Sequence, residues 1–129
     1  MKILLIDDDV DLCQLTLKVL TKHGYDVDAF QDATQGIEHA RRQKPDLILM
    51  DIMMPGLSGP EIATLLKKED HFRFVPIVFL TGLVDASETG GENDGLMVGG
   101  VKYRTLGKPY EIDNLLAMVE AYDRGTGGD

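Results

Sequence analysis

The chain has 129 residues, which fits a single domain, and 43% of them are hydrophobic. Its 22 acidic and 13 basic residues give a formal net charge of −9, which opposes docking on the phosphate backbone of nucleic acid. No apolar run approaches the ~18 residues that a membrane span needs, and strand-like sequence from Lys2 leaves no room for a signal peptide. The single cysteine, Cys13, fits a reducing compartment as a packed thiol. We therefore expect a cytoplasmic protein that contacts neither DNA nor membrane directly.

Short apolar runs alternate along the chain with patterns of helical periodicity. Apolar runs predict strands at residues 2–7, 47–50 and 77–80, and we interpret two further stretches, at 25–30 and 103–106, as strands as well, which makes five. Helical spacing and helix-start signals predict four helices, at residues 12–20, 32–43, 59–68 and 112–122. Asp32 with Gln35, and Ser58 with Glu61, have the spacing of capping boxes. This alternation predicts a doubly wound α/β fold, in which helices cover both faces of a five-stranded parallel sheet.

The stretch at residues 82–100 interrupts the alternation, because it is rich in glycine and has no sustained helical pattern. We expect at most a turn or two of helix near residues 84–88, followed by an irregular loop. Apolar residues from Leu96 to Val101 flank Gly99 and Gly100, which is typical of a short hairpin beside the fifth strand. A floppy loop is an equally good interpretation of these residues.

Polar residues follow four of the predicted strands, at the edge where open parallel sheets bind their ligands. Asp7 and Asp8 follow the first strand, and Asp51, Thr81 and Lys108 follow the third, fourth and fifth. Three carboxylates in one small region are costly without a compensating cation. Oxygen ligands with no histidine or cysteine nearby select a hard ion, and a site with room for water favours Mg²⁺ over Ca²⁺. The pattern predicts a magnesium site.

The DDDVD stretch at residues 7–11 has a second interpretation, because acids at strand ends are commonly helix caps or solvated turns. We assign Asp9 to the N-cap of the first helix, where a carboxylate interacts well with free N–H groups. Helix capping explains neither Lys108 beside a proline nor Thr81 before a glycine. Their convergence with the acids at one edge of the sheet favours a functional site.

Four motifs together resemble the receiver domain of two-component response regulators. They are IDDD at residues 6–9, LILMDIMMPGLSG at 47–59, PIVFLTG at 76–82 and GKPY at 107–110. The resemblance extends from residue 2 to about residue 122. It implies a flavodoxin-like sheet with strand order 2-1-3-4-5, a phosphoacceptor at Asp51, and Mg²⁺ bound by Asp7 and Asp8. The main-chain carbonyl of Met53 would complete the protein ligands of the metal.

The resemblance also implies how the site works. Thr81 and Lys108 would contact the phosphoryl group, and the peptide bond from Lys108 to Pro109 would be cis. The charge that an acyl phosphate adds calls for new donors, and we expect the Thr81 hydroxyl and N–H groups near Gly82 and Ile52 to provide them. The chain would be a signalling phosphoacceptor rather than an enzyme acting on a separate substrate. Its partners would be a sensor histidine kinase or a histidine phosphotransfer protein, and an effector domain or downstream protein. We expect a monomer or weak dimer, with residues 1–123 as the receiver domain and 124–129 as a flexible tail or linker.

The sequence departs from the receiver pattern in two places. Most receivers have an aromatic residue three positions before the conserved lysine, where this chain has Thr105, and the nearest aromatic is Tyr103. The glycine-rich stretch at 82–100 occupies the place of the usual helix between the fourth and fifth strands. We therefore expect that helix to be shortened or atypical.

Two other classes of protein compete with a signalling receiver. A phosphatase of the haloacid dehalogenase type expects a DxDxT-like motif after the first strand, whereas Asp7, Asp9 and Asp11 form DxDxD, and the chain has no room for a cap domain. A receiver fold that binds partners without phosphorylation is the second alternative. The presence of every expected site residue argues against it.

Overall fold

The computed structural model describes residues 1–54, 56, 58–82, 95–108 and 110–123. The strands are β1 (Lys2–Ile6), β2 (Asp26–Phe30), β3 (Leu47–Asp51), β4 (Ile77–Thr81), β5 (Gly95–Val98) and β6 (Val101–Gly107). The helices are α1 (Val10–Lys22), α2 (Ala33–Gln43), α3 (Gly59–Leu66) and α4 (Ile112–Asp123), with a 3-10 helix at Asp70–Phe72.

All of the strands belong to one sheet, in the order β2-β1-β3-β4-β6-β5. Every neighbouring pair from β2 to β6 is parallel. The five parallel strands therefore have the predicted order, with β6 as the fifth of them. Because the carboxyl ends of these strands meet at one edge, the residues that follow them are brought together.

The sheet is buried on both faces, as its nearly continuous apolar strands predict. One face packs against α1 and α4 through a cluster that includes Ile3, Leu5, Cys13, Leu20, Leu115 and Val119. The opposite face packs against α2 and α3 through a cluster that includes Leu4, Ile6, Ala40, Ile62 and Leu66. Alternate residues of β1 thus point into different cores, and the doubly wound arrangement is confirmed.

Of the two interpretations of the residues around Gly99 and Gly100, the structure shows the hairpin, which adds a sixth strand to the five that the sequence predicts. β5 pairs with β6 in the antiparallel direction, and Val98 lies opposite Val101 across the turn. The turn consists of Gly99 and Gly100, with φ angles of 56° and 83°. Positive φ at both positions is what a type I′ turn requires, and glycine adopts it without steric cost. The glycine pair therefore fixes the register of this edge.

Side chains cap the first three helices at their N-termini. Asp9 accepts a hydrogen bond from the N–H of Leu12 at 3.1 Å, as predicted. Ser58 and Glu61 form the predicted capping box of α3. Asp32 caps α2 through the N–H of Thr34 rather than through a capping box with Gln35.

Some predictions concern residues outside the described ranges. They include the helical turn near residues 84–88, the cis bond before Pro109 and the tail at residues 124–129. Within the described part of the chain, no helix has the length and apolar character needed to cross a membrane.

Candidate functional site

The predicted site residues meet at the carboxyl edge of the sheet. Asp7 directly follows β1, Asp51 ends β3, Thr81 ends β4 and Lys108 directly follows β6. Asp7, Asp51 and Thr81 are almost completely buried, whereas Asp8 is exposed. The site thus combines three buried polar side chains with one exposed carboxylate.

Three carboxylates form the acidic part of this site. Asp7, Asp8 and Asp51 each place an oxygen within 4.8 Å of the others. This donor set contains only hard oxygen ligands and one exposed carboxylate, which suits a hydrated Mg²⁺ ion. The residues present therefore fit the predicted metal. The N–H of Met53 donates to Oδ1 of Asp51, and the role of its carbonyl as a metal ligand stays a prediction.

The ammonium of Lys108 lies between two of the carboxylates. Its Nζ donates to both oxygens of Asp7, at 3.3 and 3.0 Å, and lies 3.4 Å from Oδ2 of Asp51. The lysine side chain is only 17% exposed, so these charges interact in surroundings with little water. The lysine that the sequence singled out thus contacts both buried acids.

Main-chain hydrogen bonds hold the site residues in place. The N–H of Asp7 donates to the carbonyl of Phe30 at 3.0 Å, which ties the end of β1 to β2. The N–H of Lys108 donates to the carbonyl of Thr81 at 2.8 Å and joins β6 to β4. The Cys13 thiol, predicted to be packed and without a role, donates to the main-chain carbonyl of Asp7 at 3.2 Å.

Main-chain N–H groups next to Asp51 have different partners. The N–H of Ile52 donates to the carbonyl of Leu80 at 3.0 Å. The N–H of Met53 donates to Oδ1 of Asp51 at 3.3 Å. In this structure the main-chain donor to the phosphoacceptor candidate is therefore the residue after Ile52, and the predicted donors to a phosphoryl group stay a prediction.

Burial and charge change the protonation of the two central groups. Burial, together with the negative charge of Asp7, raises the pKa of Asp51 from 3.8 to about 6. Burial alone would lower the pKa of Lys108, but hydrogen bonds and charges from Asp7 and Asp51 outweigh it and raise that pKa. Lys108 therefore stays protonated at neutral pH. The surroundings of Asp51 disfavour its ionised form.

Gly59 is a site-shaping residue that the sequence analysis treated only as a helix start. A Cβ at this position would lie 2.5 Å from the main-chain oxygen of Asp51 and 3.1 Å from Cα of Ile52. Both neighbours are main-chain atoms, which cannot move aside cheaply. Gly59 directly follows the N-cap Ser58, and its approach to the end of β3 becomes visible only in the fold.

The aromatic residue near the site lies where the sequence suggested. Tyr103 is buried and its ring meets Phe79 edge-on, with centroids 5.3 Å apart. Thr105 lies two residues further along β6, opposite Phe79 in the strand register, and is partly buried. The tyrosine is therefore a packed residue on the strand that leads to Lys108.

Known proteins are similar to this chain in sequence and in fold. The family profile described as the response regulator receiver domain matches residues 3–120. The DNA-binding response regulator MtrA of Mycolicibacterium paratuberculosis is 34% identical over 125 residues, which cover 93% of this chain and 50% of that protein. The transcriptional regulatory protein YrkP of Bacillus subtilis is 37% identical over 120 residues, which cover 93% of this chain and 48% of that protein.

Solved structures agree with these relatives. The chemotaxis response regulator CheY4 of Vibrio cholerae matches with a TM-score of 0.78 and 26% identity, covering 94% of this chain and 97% of that one. The chain therefore belongs to the response regulator receiver domain family of two-component systems. Members of this family are signalling proteins that interact with histidine kinases. The chain spans about half the length of the curated relatives it matches.

Proposed function

We propose that Asp51 accepts a phosphoryl group from a sensor histidine kinase or a histidine phosphotransfer protein, in a reaction that requires Mg²⁺. The observation that carries this proposal is the position of Lys108, whose ammonium contacts Asp7 and Asp51 at once. A buried carboxylate beside a fixed cation and a cluster of acids combines a nucleophile with charge stabilisation. Phosphoryl transfer needs little else from a protein.

The chemistry follows from the atoms around Asp51. The N–H of Met53 engages Oδ1, and Lys108 approaches Oδ2. In the transfer, an oxygen of Asp51 forms a bond to phosphorus while the bond from phosphorus to the donor's leaving group breaks. Asp7, Asp8, Asp51 and the carbonyl of Met53 would hold Mg²⁺, which when bound neutralises charge on the phosphoryl oxygens.

The switch follows from the added charge. An acyl phosphate carries more negative charge than the carboxylate it replaces, so the site needs new donors. The Thr81 hydroxyl and the N–H of Gly82 are the candidates at the end of β4. Hydrogen bonds to a charged group contribute about 1.5–3 kcal/mol each, and near-complete inversion of a two-state equilibrium needs about 5.5 kcal/mol. Two or three contacts suffice only if they form almost entirely in the phosphorylated state.

The output of the domain lies in a partner or in an attached effector domain. MtrA is a DNA-binding response regulator, and this chain spans half of it. The net charge of −9 opposes direct contact of this chain with DNA, so any such contact would be made by another part of the protein. We place the receiver domain at residues 1–123, in the cytoplasm, as a monomer or weak dimer.

The rival functions predict different chemistry. A dehalogenase-type site needs its second acid two residues after the first, but Asp9 caps α1. A receiver fold that acts only as a binding module has no need of a buried Asp51 with a raised pKa. A carboxylate with a shifted pKa beside a specific charged partner is typical of reactive sites. It therefore favours a phosphoacceptor over a module that only binds partners.

The test is incubation with Mg²⁺ and a small phosphodonor such as acetyl phosphate, followed by intact mass measurement. We expect one acid-labile phosphoryl group on the wild-type protein and none on Asp51→Asn. One equivalent of label on Asp51→Asn would overturn the assignment of the phosphoacceptor. A wild-type protein without label, under conditions in which Mg²⁺ binds, would support the binding-module alternative.

A further inference from the structure

A hydrogen bond between two hydroxyl groups joins helix α1 to the chain just beyond Lys108. The hydroxyl of Thr16, a fully buried residue in the middle of α1, pairs with the hydroxyl of Tyr110, which is partly buried. Tyr110 is two residues after Lys108 and precedes α4. The contact therefore spans 94 positions of sequence and ends beside the site.

This contact is not required merely to satisfy a buried hydroxyl. A threonine inside a helix can donate to the carbonyl four residues earlier, which here is that of Leu12. A phenylalanine at position 110 would present the same apolar ring to the core. The hydroxyl of Tyr110 thus adds a directional link between α1 and the segment that carries Lys108.

The link lies close to the charges of the site. Burial raises the pKa of Tyr110, and the charges of Asp7 and Lys108 also act on its hydroxyl. Helix α1 is itself attached to the end of β1, because the Cys13 thiol donates to the carbonyl of Asp7. A set of contacts therefore runs from Asp7 through Cys13 and Thr16 of α1 to Tyr110, which follows Lys108 by two residues.

Lys108 has a flexible four-carbon side chain, so its ammonium is placed accurately only if its main chain is held. One attachment is the hydrogen bond from its N–H to the carbonyl of Thr81, at 2.8 Å. The Thr16–Tyr110 contact is a second attachment, on the other side of the residue. With both in place, Nζ reaches Asp7 and Asp51 together.

We propose that the Thr16–Tyr110 hydrogen bond is a positioning contact that sets the place of the Lys108 ammonium between Asp7 and Asp51. This inference rests on the proposed phosphorylation of Asp51 for its kinetic consequence. A misplacement of 1 Å can slow a reaction by about 100-fold. Tyr110→Phe leaves the attachment of Lys108 to Thr81 in place, so we expect Lys108 to move by less than 1 Å. The expected result is phosphorylation that is about five- to tenfold slower.

The experiment measures the rate of phosphorylation by acetyl phosphate at saturating Mg²⁺. Thr16→Ser keeps a hydroxyl at position 16 and should label at the wild-type rate. Tyr122→Phe is the control, because Tyr122 lies on the distal part of α4, where the guanidinium of Arg104 is 5.9 Å from its ring centroid. It should lose a tyrosine hydroxyl without slowing the reaction.

A double-mutant cycle separates positioning from general loss of structure. If Tyr110 acts through Lys108, the effect of Tyr110→Phe should disappear in a Lys108→Ala background. An equal slowing in both backgrounds would overturn the inference, and so would a wild-type rate for Tyr110→Phe itself.

A second measurement does not depend on phosphorylation. The NMR signals of the Lys108 Cε methylene should shift in Tyr110→Phe and stay unchanged in Thr16→Ser and Tyr122→Phe. Shifted signals in a protein that acetyl phosphate does not label would leave the contact established and overturn the proposed function instead. Unshifted signals in Tyr110→Phe would overturn the contact's role whatever the labelling result.

Discussion

Lys108 donates from Nζ to both carboxylate oxygens of Asp7, at 3.3 and 3.0 Å, although the two residues are 101 positions apart in the sequence. The two residues follow β1 and β6, which are separated in the sheet by β3 and β4. Their side chains thus reach across the edge of the sheet that carries Asp51. This ion pair is the electrostatic centre of the site.

Removal of Lys108 should therefore change both stability and metal binding. In Lys108→Ala the buried carboxylates of Asp7 and Asp51 lose their cation, which should lower the free energy of unfolding by about 3 kcal/mol without metal. The same change removes an ammonium that repels Mg²⁺, so Mg²⁺ should stabilise the variant more than the wild type. Urea unfolding with and without Mg²⁺ measures both effects. Lys18→Ala, at an exposed position of α1, is the control and should match the wild type.

The raised pKa of Asp51 predicts that Asp51→Asn stabilises the fold by an amount that depends on pH. Between 3.8 and about 6 the folded protein binds this proton more tightly than the unfolded chain, so the group's contribution to stability falls as pH rises through that window. At pH 7 without metal, Asp51→Asn should be more stable than the wild type by about 1–3 kcal/mol. The gain should largely vanish below pH 4. Equal stabilities at pH 7 in EDTA would contradict this description of the site.

Asp8 and Asp9 are adjacent acids that should have separable roles. Asp8 belongs to the carboxylate cluster, whereas Asp9 caps α1 through the N–H of Leu12. Asp8→Ala should weaken Mg²⁺ binding by about tenfold or more, since even residues behind a metal ligand change affinity by that much. Asp9→Ala should cost about 1 kcal/mol of stability and leave Mg²⁺ affinity close to that of the wild type. Calorimetric titration distinguishes the two, and equal losses of affinity would mean that both acids face the metal.

Lys67 should stabilise the fold far from the functional site. Its ammonium donates to the carbonyls of Phe72, Arg73 and Val75 at 3.1, 3.2 and 2.5 Å, around the 3-10 helix that leads into β4. Lys67→Met should lower the free energy of unfolding by about 1–3 kcal/mol, because those carbonyls lose a charged donor. Lys68→Met, at the exposed neighbouring position, should have little effect. If the denaturant midpoints moved equally in the two variants, the hydrogen bonds of Lys67 to the three carbonyls would not stabilise the fold.

The sequence predicted the site because the relevant signals are local. Asp7, Asp51 and Thr81 each end or follow an apolar run, and Lys108 follows the last predicted strand. Parallel strands bring their carboxyl ends to one edge without further information. Gly99 and Gly100 between apolar residues made a hairpin one of two equal interpretations, because a glycine pair suits a tight turn but suits a loop as well. The N-cap of Asp9 was also readable from its place before a helical pattern.

Other features depend on packing between distant elements and could not be read from the sequence. The close approach of Gly59 to the main chain of Asp51 depends on how near α3 lies to β3. The pairing of Thr16 with Tyr110 requires α1 to lie beside the residues that precede α4. The hydrogen bond from the N–H of Met53 to Asp51 depends on how the chain turns after β3, where the N–H of Ile52 donates to the carbonyl of Leu80.

The most direct test of the account is to locate the phosphoryl group within the protein. After labelling with acetyl phosphate and Mg²⁺, proteolysis at low temperature and fragmentation mass spectrometry assign the modified residue. We expect one modified peptide, which contains residues 47–54 and carries the label on Asp51. We expect no labelling when EDTA removes Mg²⁺. Label on Asp7, Asp8 or any other residue, or undiminished labelling of Asp51 in EDTA, would contradict it.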